Sequence, residues 1–365
     1  ARLLRAMSYY YMMDIFGKAA FVTEADPINA LPVQYDRAQL FSFIETELKD
    51  INADLKDPMQ NEHGRADKAV AWMILAKIYL NAEVYIQTDH YADCLAYTEQ
   101  IIAGGFSLAS EYAHNFMADN NSNSASNEII FPLISDGINT HNYGPTTVMV
   151  NGEVGSIEAN GAALGVGAGG WGGALRLRKQ LVQLFDGSTF SADSRNMIIS
   201  GTRSIEITDI SDKDTGYITT KWSNATSTGE FGSNETFVDT DFPLFRLADV
   251  YLMYAEAHVR GGGGTAATAA GYLSDLRTRA NNNNTIGTSD LSLDFILDER
   301  ARELHWEAHR RQDLIRFNRF TGGAYNWTWK GNGSNGISLP SHMNVYPIPA
   351  SSLGSNPNLT QNTGY

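Results

Sequence analysis

Over residues 5–16, apolar and aromatic side chains recur at three- and four-residue spacing, the rhythm of one buried helix face, and Gly17 supplies a stop. Residues 37–55 repeat the pattern, with Leu40, Phe43, Ile44, Leu48, Ile51 and Leu55 on one side, and Asp57-Pro58 ends it. A third helix is predicted over 68–85, where Ala69, Ala71, Ala76 and Ala82 leave room for another helix to approach closely. A fourth covers 90–103 and closes at Gly104-Gly105.

From 107 to 243 this rhythm dissolves into Asn, Ser, Thr and Gly, broken by a short helix around 175–185 and β-like runs such as 128–131. So long an irregular region inside a compact protein usually carries function. Helices return over 246–260, 266–280 and 291–317, with the glycines at 261–264 as a hinge-like turn. From Asn344 onward the tail is polar and extended, and is expected to lie across the helical surface. Paired helices of this size resemble tetratricopeptide-type hairpins, although no strict repeat period holds. The expected fold is therefore mostly α. Tetratricopeptide-like helical hairpins fill 1–106 and 244–320, a loop-rich ligand-binding region fills 107–243, and an extended tail fills 321–365.

Composition narrows the partners. The chain has 365 residues, 43% hydrophobic and 19% charged, enough for a large core. A net charge of -14 argues against nucleic acid and leaves a neutral ligand or a protein as the better partner. The single cysteine, Cys94, excludes an internal disulfide and is expected to be half-buried on a helix. No run of about 18 apolar residues suits a membrane-crossing helix. The chain opens at Ala1 already in helical rhythm, so it is read as a single domain lacking an N-terminal part, where any targeting or lipid-attachment signal is expected.

The glycine run from Gly165 to Gly173 encloses one tryptophan, Trp171, with no neighbouring side chains to cover it. Such an indole either plugs a hole beneath its loop or stands open as a plate for a flat amphipathic ligand such as a pyranose ring. Gly165, Gly167 and Gly170 match the G-x-G-x-x-G spacing, but no hydrophobic strand precedes them, which argues against a dinucleotide site. His305 and His309 have zinc-sharing separation on the expected helix, yet the charges around them favour two surface histidines within an ion-pair network. No G-x-S-x-G elbow is present, and nothing singles out a glycosidase pair among 41 acidic residues. Asp239 and Asp241 lie two apart on an extended segment, fit either to hold calcium with help from elsewhere or to cap turn amides.

Several stretches together resemble the SusD/RagB family of outer-membrane glycan-binding lipoproteins. They are Gly64 to Trp72 running into Ala76-Lys-Ile-Tyr-Leu-Asn81, Phe242 to Tyr251 with Ala255-Glu256-Ala257, Asp298 to Glu303 leading to Arg310 to Phe317, and Tyr346-Pro-Ile-Pro349 with Asn356 to Asn362. Within the family the likeness is to a starch-binding member, carried by Phe116 to Asn120, His141-Asn-Tyr-Gly144 and Asp239 to Arg246. The resemblance implies an arc of aromatic rings against the curve of an α-glucan, with Tyr143, after Asn142, and Trp171 at two arc positions. A third aromatic is implied in a loop ahead of this sequence. The resemblance also implies a structural calcium at Asp239, Asp241 and Asn121, weakened because an amide stands where a carboxylate is expected; no other cofactor is required. It further implies a SusC-like TonB-dependent outer-membrane transporter as partner, and a surface position anchored by a lipidated cysteine outside this chain. The open alternatives are a tetratricopeptide-type interaction scaffold with no glycan site and, more remotely, a glycoside hydrolase.

Overall fold

A computed structural model describes residues 1–141, 143–153, 163–167, 171 and 175–365. Helix α1 (Arg2–Phe16) ends at Gly17, whose φ of 71° allows the left-handed cap that returns its N–H to the Met13 carbonyl. Strands β1 (Lys18–Phe21) and β2 (Val33–Asp36) pair antiparallel, Lys18 opposite Asp36, and lead into α2 (Arg37–Ile51). Asp36 caps α2 by accepting the Gln39 N–H while the Gln39 side chain accepts in return, a capping box. Helix α3 (Lys68–Leu80), capped by Asp67, is buried along nearly its whole length, with Ala69, Ala71 and Ala76 fully enclosed.

The third expected helix breaks at Asn81, beyond which α4 (Ala82–Ile86) starts. Buried Asn81 donates to the Lys77 carbonyl and accepts from Arg316, and this long-range tie outweighs helix continuation. Helix α5 (Tyr91–Ile102) packs on α3 and buries Cys94 completely, deeper than the half-buried position expected.

Strand β3 (Ile129–Leu133) follows the β-like run read from the sequence. Helix α6 (Pro145–Glu153) was not expected, since its Thr, Val and Gly residues are indifferent helix formers. Burial of Thr146, Thr147, Val150 and Asn151 overrides that preference. A short α7 (Lys179–Val182) and the two-residue strands β4 (Ile198–Ile199) and β5 (Ile218–Thr219) complete the middle region. Strand β6 (Phe242–Arg246) pairs antiparallel with β3 and runs straight into α8 (Leu247–Val259). Helix α8 packs against α5, against α9 (Ala266–Arg279) and against α10 (Leu293–Leu304), so the helices before and after the loop region share one core.

The single helix expected over 291–317 is two: α10 and α11 (Arg310–Arg316). Between them Trp306 and Ala308 take left-handed φ values of 59° and 64°, which no helix accommodates. His305 and His309 therefore do not share a helix face, and both are buried rather than at the surface. The tail lies across α1 as expected: Tyr346 donates its N–H to the Ile15 carbonyl, and the Asn362 amide donates to that of Phe16. A last helix, α12 (Ala350–Ser355), interrupts it.

A buried lattice of ion pairs locks the loop region to the helices. Arg246 reaches Glu128 at 2.9 Å, Glu303 at 2.7 Å and Glu307 at 2.6 Å. Lys221 meets Glu307 at 2.7 Å, and Arg195 meets Glu299 at 2.8 Å and Asp193 at 2.7 Å. Burial alone raises the Glu299 carboxyl, but Arg195, Arg277 and Arg302 outweigh it and draw it down to about 2. The mixed charges around 299–316 thus form the internal network the sequence suggested.

Candidate functional site

A second, smaller core lies beneath the loop region. Val150 of α6, Leu164 and Val166 of the glycine loop, Val238, and Trp222 stacked on Phe242 at 5.4 Å belong to it. Three segments are pinned over this core by buried amides. Asn224 donates to the carbonyls of Gly165 and Asn234 and accepts the Asp239 N–H. Asn151 donates to the Thr147 and Thr236 carbonyls, and Thr147 accepts the Val238 N–H. Gly165 is required here: its φ is 71°, and an added Cβ would stand 2.6 Å from the Asn224 carbonyl oxygen. Glu153, at the end of α6, is fully buried and accepts from the Trp222 N–H; burial pushes its carboxyl well above the usual range.

On this platform Tyr143, just ahead of α6, and Trp171 are both open to solvent, at 67% and 37% exposure. Their ring centroids are 6.1 Å apart and their planes are inclined at 48°. Phe237 braces Tyr143 from behind at 5.2 Å and stacks on His141 at 4.9 Å. The Trp171 N–H donates to the Asn151 carbonyl, so the backbone beneath the indole is tied to α6. Two uncharged aromatic plates set at an angle suit a curved, amphipathic ligand that stacks on both. Asn142, the third expected ligand contact, lies outside the described residues. The bracing residues Asn151, Asn224 and Phe237 went unread in the sequence, where nothing separates them from other Asn and Phe residues.

The two carboxylates proposed as calcium ligands are engaged within the protein. Asp239 Oδ1 accepts from the Gly137 N–H and the Ser233 hydroxyl, each at 2.7 Å, and its Oδ2 accepts from the Ser233 N–H. Asp241 Oδ1 accepts from the Ser135 N–H at 2.8 Å, while its Oδ2 lies 2.6 Å from His63 Nε2. Asn121 is exposed; it is its neighbour Asn120 that turns inward and exchanges hydrogen bonds with the Asp241 backbone. No cluster of three or more His, Cys, Asp or Glu side chains fit for a metal occurs among the described residues. With an N–H, an O–H or an imidazole directed at every carboxylate oxygen, the pair braces the surrounding turns.

The histidines carry no metal geometry either. His305 is held neutral by burial, with Lys221 adding to the effect, and titrates at about 3; His309 is lowered by burial to about 4. No helix among the described residues is long and apolar enough to cross a membrane.

Known proteins share this architecture. The starch-binding protein SusD of Bacteroides thetaiotaomicron is 37% identical, in an alignment covering 100% of this chain and 72% of that protein. A SusD superfamily structure from Parabacteroides distasonis superposes with a TM-score of 0.73 at 19% identity, over 100% of this chain and 77% of the other. Surface glycan-binding protein A of B. thetaiotaomicron, solved with laminarihexaose, gives 0.73 at 21% identity over 99% and 77%. At such identities the two structures speak to the fold alone. Residues 178–365 match the SusD family directly. With that match and full-length identity to a starch-binding relative, the chain belongs to the SusD family.

Proposed function

We propose that this protein is a non-catalytic, cell-surface glycan-binding protein that holds α-glucan against Tyr143 and Trp171 and passes it to a SusC-like TonB-dependent transporter. The inclined, exposed pair of rings is the observation that carries this reading. The 37% identical starch-binding relative supports the choice of α-glucan. A chain of α-linked glucose curves, so successive sugar faces meet both plates, whereas a flat β-linked chain meets one at a time. The transporter partner, the outer-membrane position and the lipid anchor follow from family membership and belong to the same proposal.

Each ring contributes roughly 0.5–1.5 kcal/mol beyond area burial. Against the cost of ordering an oligosaccharide, two such contacts give affinity on the order of micromolar to millimolar. That strength suits repeated capture and release of a polymer.

The test is electrophoresis through gels containing amylopectin, with laminarin gels run beside them. Retardation by amylopectin that disappears in the Tyr143→Ala, Trp171→Ala double variant supports the reading. Equal retardation with both rings removed refutes the site. Stronger retardation by laminarin refutes the α-glucan assignment. If neither polymer slows the protein while a membrane protein co-purifies with it, the interaction-scaffold alternative holds instead.

A further inference from the structure

A cavity of about 410 Å³ lies between the bend at 305–309, the segment 176–184 and the loop 320–327. Neither Tyr143 nor Trp171 lines it. Its volume falls within the range of roughly 300–1,000 Å³ usual for small-molecule sites.

Three properties of the lining point to one ligand chemistry. Trp306, Tyr325 and Trp327 supply partly exposed ring faces, with Tyr325 and Trp327 at 5.9 Å and inclined by 48°. The Arg178 guanidinium, at the exposed edge, makes no hydrogen bond or ion pair with the described residues, in a chain whose net charge is -14. Arg176 lies near it, a second cation at the same edge. Arg176 itself is occupied by the carbonyls of Ile210 and Thr215. Buried His305 has Nδ1 3.0 Å from the Arg302 carbonyl, which places the proton on Nδ1 and leaves Nε2 an acceptor. Nε2 has no partner among the described residues but is closed to solvent, so it offers a cavity ligand no hydrogen bond. The backbone at this bend holds Trp306 and Ala308 in left-handed conformations, a strain that recurs at ligand sites.

We propose that this cavity is a second binding site, separate from the ring pair, for a small carboxylate with a flat apolar face. Its carboxylate pairs with Arg178, and its ring lies on the indoles of Trp306 and Trp327. A hexuronic acid and a phenolic acid share this chemistry, and a neutral hexose lacks the anion.

Calorimetric titration of the chain with sodium glucuronate, sodium 4-hydroxybenzoate and glucose tests it. At least one of the two acids saturates, and binds at least about tenfold more tightly than glucose. Arg178→Gln, at an exposed position that leaves the fold intact, weakens the bound acid roughly tenfold or more, and Tyr143→Ala leaves it unchanged. The tighter acid identifies the source, sugar or phenolic. Failure of both acids to saturate, equal binding of glucose, indifference to Arg178→Gln, or loss on Tyr143→Ala each overturns the proposal. Because the ring-pair variants are read separately on amylopectin, failure of this site leaves the α-glucan reading standing.

Discussion

The buried lattice around Arg246 and the open pair Tyr143–Trp171 are opposite solutions to holding a group in place. In the lattice, full charges lie out of water and each needs several partners: Arg246 alone engages Glu128, Glu303 and Glu307. At the ring pair the groups are uncharged and exposed, and rigidity comes from amides beneath them, those of Asn151 and Asn224. Removing one member of the lattice strands its partners in a low-dielectric interior, whereas removing a ring exposes nothing that was buried. Stability and binding are thus assigned to different residues, and each assignment can be broken separately.

Arg246→Ala carries the largest expected effect. It strips a shared cation from Glu128, Glu303 and Glu307 and lowers unfolding free energy by about 3–5 kcal/mol, measured by urea denaturation. A loss under about 1 kcal/mol would mean that water or neighbouring arginines replace it.

Acid comes next. His305 and His309 take protons near 6.5 when unfolded but only near 3 and 4 when folded. Their contribution is therefore complete above pH 6.5 and is lost as pH falls toward 4. Below 4.5 Glu299 adds to the loss, since its carboxyl is drawn down to about 2 in the fold. Glu153, raised by burial, works in the opposite sense and favours the fold at low pH. Tm should fall between pH 6.5 and 4 and then more steeply, and His309→Asn should flatten the upper part of that slope.

Gly165→Ala couples the two regions. The positive φ and the close Asn224 carbonyl cost about 1–3 kcal/mol. Because the same loop carries Trp171, amylopectin retardation should weaken together with Tm. A fall in Tm alone would show that the indole is positioned independently of Gly165.

Trp171→Ala and Tyr143→Ala should each weaken α-glucan binding roughly two- to twelvefold and shift Tm by less than about 2 °C. A larger Tm shift would mean that these rings belong to the core. Smallest of all is calcium: adding it or chelating it should move Tm by less than about 1 °C, because Asp239 and Asp241 are committed to turn amides, the Ser233 hydroxyl and His63. A saturable rise in Tm on adding calcium would restore the metal assignment for Asp239, Asp241 and Asn121.

Helices with clear periodicity and caps were legible along the chain, because those signals are local. Gly17 at the end of α1 acts within a few residues of itself. The break at 305–309 was not legible: no Gly or Pro marks it, and the partners that hold Glu307, Arg246 and Lys221, are far away in sequence. Helix α6 was missed for the related reason that its residues prefer no helix until they are buried. Trp171 announced itself through the glycines around it, while Tyr143 was visible only through resemblance to a family. Both rings lie outside the 178–365 segment that matches that family directly.

What the amino-acid order determined by itself was the position of most long helices, the loop region between them, the acidic balance and the bare indole, since each depends on neighbours within a turn or two. Tertiary structure alone decided which charges became buried partners, that the phenol and indole stand 6.1 Å apart at 48°, and that Asp239 and Asp241 accept from turn amides. Angles and pairings of that kind arise from packing segments a hundred residues apart over a shared core, and no local pattern encodes them.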